Sequence, residues 1–160
     1  MPSSLADFRT AAAAHTLRAC QLFAGLPTGE LEIIAAVVIS KQLAKDDYLF
    51  HEGAPSEGFY VVQRGAINVH RVNATGKEQV IHVFRAGQSF AEAALASEGG
   101  YPADARAIEN STVLLVPKTD FVGLLRSRPE LALRMLGSMS QHLRVLVGLI
   151  DDLTLKDIES

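Results

Sequence analysis

The chain has 160 residues, 48% of them hydrophobic and 21% charged, which is enough for one well-buried core and too few for two ordinary domains. A net charge of −3 and a pI near 5.9 exclude a nucleic-acid grip by this segment itself, because a phosphate backbone calls for clustered Lys and Arg. Cys20 is the lone cysteine, ruling out an internal disulfide, a multi-cysteine zinc site and a four-cysteine iron–sulfur cluster, and no GxxxxGK, GxSxG or HExxH motif points to an enzyme.

The opening MPSSLADFRTAAAAH lacks the basic start and unbroken apolar core of a secretory signal. No window reaches ~18 uncharged apolar residues, so the chain reads as cytoplasmic and free of a membrane span. Ala-rich helix formers lead through Leu17, Leu22, Phe23 and Leu26 to Pro27-Thr28-Gly29-Glu30, giving a helix, a turn and a second helix. Thr28 is the expected N-cap of that second helix, which carries Leu31, Ile34, Ala35 and Val38 at helical spacing. From Lys41 the period changes. Short β-branched or aromatic runs alternate with Gly53, Gly58, Gly65, Gly76 and Gly87, the rhythm of an antiparallel sandwich or barrel. The stretch 72–77 reads as a hairpin loop joining strands 67–71 and 78–84, with Thr75-Gly76 as its turn, and strand 111–116 closes the β-unit.

After Pro117 the helical period returns over 119–127 and, past Pro129, to about residue 159. At 1.5 Å per residue the latter helix spans ~45 Å, more than a compact β-unit can cover. Ala132, Leu136, Met139, Leu143, Leu146, Ile150 and Leu153 recur at alternating spacings of four and three, a heptad seam that predicts a parallel homodimer. Met135, His142, Val145 and Leu149 form a second apolar face able to pack on the chain's own β-unit. The expected organisation is a sensor unit over 1–128 and a dimerisation helix over 129–160.

The phrase Tyr60-x-Val62-x-x-Gly65-x-Ile67-x-Val69 resembles the β-roll of the cyclic-nucleotide-binding domains of the Crp/Fnr type, and the likeness extends over essentially the whole chain. It implies a mainly β α+β fold: a double-stranded β-helix (β-roll or jelly roll) with N-terminal helices and a long C-terminal dimerisation helix. The family's phosphate cassette runs Gly-Glu-(Leu/Ala), a short helix, then Arg-(Ala/Ser)-Ala. Here Ala91-Glu92-Ala93 stands at the first step and Ala103-Asp104-Ala105 at the second, so the glutamate is kept and the arginine is gone. Losing one partner of a buried ion pair typically costs ~3–5 kcal/mol. Arg106 is the nearby substitute, yet on a strand it points away from the face of residue 103. Glu92 is then expected to pair with Arg106 or to cap local backbone. In the family's long helix, Leu146 and Val147 fall where the cyclic-AMP receptor carries two adenine-binding hydroxyls, a second mark against cyclic AMP.

The cassette looks most like that of the dissimilative nitrate respiration regulators, a branch associated with nitric oxide sensing through haem. The resemblance therefore implies a small-molecule or gas effector, with haem as the candidate cofactor. The expected effector pocket comprises Phe90, Ala91, Glu92, Tyr101, Ala103 and Arg106 with Leu146, Val147 and Ile150 of the long helix. His142 and His15 are the candidate haem ligands; His51, His70 and His82 are expected to be exposed on or beside strands. Ala91 and Ala93 exclude the Cys/His ligation of the family's carbon-monoxide sensor. The dimer seam comprises Leu136, Met139, Leu143, Leu146, Ile150 and Leu153. DNA would be reached only through a helix-turn-helix that these 160 residues lack, so the chain is expected to be a truncated or a stand-alone sensor. Two alternatives stay open: a cyclic-nucleotide receptor using Arg106, and a dimerisation module that binds nothing.

Overall fold

The computed structural model describes residues 4–96 and 99–140. Helix α1 (Leu5–Ala19) starts with a reciprocal cap in which Ser4 Oγ accepts from the Asp7 N–H and Asp7 Oδ2 accepts from the Ser4 N–H, both at 3.1 Å. Helix α2 (Thr28–Ala35) begins differently from the sequence reading. Pro27 holds the N-cap position, and the Thr28 hydroxyl accepts from Arg18 Nη2 at 2.9 Å, so it ties α2 to α1 and caps nothing.

Eight strands follow: β1 (Ile39–Leu43), β2 (Tyr48–Phe50), β3 (Gly58–Arg64), β4 (Ala66–Val72), β5 (Glu78–Arg85), β6 (Ser89–Phe90), β7 (Asp104–Ala107) and β8 (Ser111–Pro117). They form two four-stranded antiparallel sheets, ordered β1-β8-β3-β6 and β2-β7-β4-β5. Gly65 makes the β3–β4 turn at φ +95°, and a Cβ there would sit 2.1 Å from Ser111 Oγ. Helix α3 (Lys118–Ser127) and a further helix, α4, over 129–140 complete the described chain.

Strands β3 and β8 are buried on both faces, which is why Phe59 to Val62 and Val113 to Val116 read as unbroken apolar runs. One side of them, with Phe59, Val61, Leu114 and Val116, packs under Leu17, Phe23, Leu31 and Phe121 of the helical layer. The other side, with Tyr60, Val62, Val113 and Leu115, faces Phe50, Ile67, Phe90 and Tyr101 inside the roll. Helix α4 joins the first core through Leu131 and Met135, and Arg134 Nη1 lies 2.7 Å from Glu30 Oε2 on α2. Leu133, Leu136 and Met139 of the same helix are exposed. Leu143, Leu146, Ile150 and Leu153 lie outside the described residues.

Candidate effector pocket

The cassette enters from β6 and bends at Ala91, which adopts φ 65°, ψ 25° before a single 3-10 turn over Glu92–Leu95. Glycine takes this left-handed conformation without steric cost, whereas alanine carries ~1 kcal/mol or more of strain. The backbone shape that suits glycine has been kept with an alanine in it. Phe90 is buried and stacks 5.4 Å from Tyr60 and 5.1 Å from Phe84.

Tyr101 fastens the far end of the cassette to the roll. Its ring stacks 3.8 Å from Phe50, its hydroxyl accepts from the Glu57 N–H at 3.1 Å and donates to the Gly58 carbonyl at 3.0 Å. The backbone adds Tyr101 N–H to the Ala54 carbonyl at 3.0 Å and Gly53 N–H to the Tyr101 carbonyl at 2.8 Å. Burial, reinforced by the neighbouring Tyr101 hydroxyl, pushes the Tyr60 phenol well above its ordinary range, so it stays neutral.

Ala105 and Ala107 point into the roll, and Ala103, just before the strand, is buried with them. The alternate residues face out. Arg106 stands opposite Asn68 and Tyr48, donates from Nη2 to Glu78 Oε1 at 3.0 Å and from Nη1 to the Tyr48 hydroxyl at 3.3 Å. Arg106 therefore does not join Phe90, Ala91, Tyr101 and Ala103; the period-2 alternation of β7 removes it from the pocket. The expected Glu92–Arg106 pair is absent for the same reason, and Glu92 instead accepts from Ser89 Oγ at 2.5 Å.

The histidines separate clearly. His15 is exposed on α1, beside Asp7, Arg18 and Glu32 in the cleft between α1 and α2. His51 lies outside the roll, stacked 4.4 Å from Tyr48. His70 corrects the sequence reading: it is 1% exposed, with Nδ1 3.1 Å from Asn68 Oδ1 and 3.4 Å from Glu78 Oε1, and Nε2 3.7 Å from Asp104 Oδ2. Its polar neighbours are partners gathered from three strands. His82 is exposed but stands opposite the inward-facing Val69, edge-on to Phe84 at 4.6 Å, which puts it on the inner side at the mouth of the roll. His142 lies outside the described residues, as do Leu146, Val147 and Ile150 of the expected pocket wall. Cys20 is buried, and desolvation pushes its thiol up, against hydrogen bonds from Leu22 and Ser89 that pull the other way.

One residue that the sequence reading passed over belongs to this corner. Arg71 follows His70 on β4, and since Asn68 and His70 share the outer face, Arg71 lies with Ile67 and Val69 on the inner one. It lies one step beyond the His70–Asp104 pair, and its Nε donates to the Pro102 carbonyl at 3.0 Å.

A two-sheet roll whose cassette leaves one sheet at β6 and returns to the other at β7 defines an effector-binding module of the cyclic-nucleotide-binding type. Comparison with known proteins agrees: residues 40–128 match the family model of the cyclic nucleotide-binding domain. The chain is 24% identical over 128 residues to the cyclic AMP receptor protein of Thermus thermophilus, covering 80% of this chain and 59% of that protein. It is 27% identical over 125 residues to the anaerobic regulatory protein of Bacillus subtilis, covering 78% and 52%. The sensor domain of the transcriptional regulator DNR from Pseudomonas aeruginosa superposes with a TM-score of 0.71 at 25% identity, covering 87% of this chain and 93% of that one. The chain belongs to the cyclic nucleotide-binding domain family, and these relatives are regulators of the Crp/Fnr type. It spans between about half and three fifths of the length of the two curated relatives.

Proposed function

We propose that this chain is the effector-sensing and dimerising part of a Crp/Fnr-type transcription regulator that does not depend on cyclic AMP. The observation that carries the reading is Ala103, a buried methyl at the corner where the family places its phosphate arginine, with Arg106 turned to the outer face and neutralised by Glu78. Exposed Leu133, Leu136 and Met139 support pairing of two copies along α4. An effector favouring one placement of the roll against the helix pair would reposition DNA-binding modules carried beyond it, provided that it binds the two arrangements unequally. Among the described residues no helix is long and apolar enough to cross a membrane, and we place the protein in the cytoplasm. Calorimetric titration with cyclic AMP and cyclic GMP tests the reading; saturable micromolar binding would refute it.

The resemblance implies haem as the cofactor, and the donor set at the mouth of the roll suits it. Among the described residues His82 is the imidazole on the inner side of the roll, against the aromatic wall of Phe84 and Phe90, whereas His15 stands on α1. His82 would hold the iron, and haem bound there supplies a position for a diatomic gas. Addition of haemin to wild type and to His82→Ala checks this: a Soret band that is identical in the two proteins refutes the assignment to His82.

A further inference from the structure

Building on the effector-sensing reading, we infer that Arg71 is the anion-binding residue of the pocket, receiving the carboxylate or phosphate head of a small effector whose apolar body lies on Phe84. Two arginines flank the corner left by Ala103. Arg106 faces out and is committed to Glu78. Arg71 faces in, one residue beyond the last β4–β7 pair, His70–Asp104, with Nε on the Pro102 carbonyl and no carboxylate partner among the described residues. That single bond to Nε anchors the guanidinium at the end of the cassette and leaves its two terminal nitrogens available. A fork held in this way presents parallel N–H donors to a planar or tetrahedral anion. The next inward positions on the paired strands are Val69, His82 and Phe84, so the cation stands at the rim of an apolar and aromatic surface. A ligand with a charged head and a flat body fits this sequence of contacts better than a bare ion or an uncharged molecule does. The cation missing at residue 103, just before β7, has a counterpart on the neighbouring strand β4.

The test uses three probes with one apolar body: 2-naphthoate, 2-naphthyl phosphate and 2-naphthol, titrated into wild type, Arg71→Ala, Arg71→Lys and Arg106→Ala and followed by thermal shift. Arg71 is exposed and makes one hydrogen bond, so its variants keep the fold, and Arg106→Ala controls for the same change in net charge. We expect at least one charged probe to bind wild type and Arg106→Ala more tightly than 2-naphthol does. Arg71→Ala should weaken that probe ~10-fold to ~100-fold, with Arg71→Lys between the two. The carboxylate and phosphate probes tell the two head groups apart. Charged probes that bind no better than 2-naphthol, or that bind Arg71→Ala as well as wild type, overturn the inference. Cyclic AMP run alongside separates the two readings. Binding that depends on Arg71 would sustain the role of this residue and sink cyclic-AMP independence, whereas a silent cyclic AMP with probes indifferent to Arg71 would do the reverse.

Discussion

Tyr101→Phe removes one oxygen from the clamp that holds the cassette to the roll. The ring and its stack on Phe50 remain, but the Gly58 carbonyl loses its donor in a buried setting and the Glu57 N–H loses its acceptor in a part-buried one. A stranded buried polar group costs ~1–3 kcal/mol, so one full and one partial loss amount to about 2 kcal/mol. For a chain of this length each kcal/mol lowers the melting temperature by ~2–4 °C, giving a fall of ~4–8 °C. Urea denaturation at one fixed protein concentration measures the free energy without a contribution from changing dimer occupancy. Tyr60→Phe is the internal comparison. The Tyr60 hydroxyl lies 3.5 Å from that of Tyr101, the long edge of hydrogen bonding, and its removal should cost well under half as much. A Tyr101→Phe protein within ~0.5 kcal/mol of wild type, or a Tyr60→Phe protein equally destabilised, would refute the clamp.

Other consequences follow from single residues. Ala91→Gly relieves the left-handed strain at φ 65° and, after the extra chain entropy of glycine, should stabilise by about 0.5–1 kcal/mol in urea; destabilisation would show that the methyl packs favourably. Leu136→Lys with Met139→Lys alters two exposed side chains of α4 and should shift the protein from dimer to monomer in light scattering, with an unchanged mass counting against the seam. Cys20 is raised in the folded state, so its contribution is complete below the ordinary thiol range and is lost as pH climbs past ~8.5 toward the folded value. Stability should therefore fall as the pH rises above the ordinary thiol range, and Cys20→Ala should flatten that fall; equal slopes in the two proteins would exclude the thiol as its source.

The roll was legible because its signals are local. Tyr60, Val62, Gly65, Ile67 and Val69 lie within one strand–turn–strand phrase, and the period-2 rule alone separates Ala103 from Arg106. The partnerships across strands were not. His70 looks like an exposed strand residue beside Asn68 and Arg71, and its burial depends on Glu78 and Asp104, which reach it from β5 and β7. The Glu78–Arg106 pair and the Arg71–Pro102 bond join residues 28 and 31 positions apart. Pairing register decides such contacts, and no short motif encodes it. Thr28 was misplaced for a similar reason: a hydroxyl ahead of a helix suits an N-cap, but Arg18 from the preceding helix takes its oxygen.

The most direct measurement is calorimetric titration of the protein with cyclic AMP. Ala103 and the outward, neutralised Arg106 predict no saturable binding in the micromolar range. Saturable micromolar binding would contradict the account, whether or not it persists in Arg71→Ala.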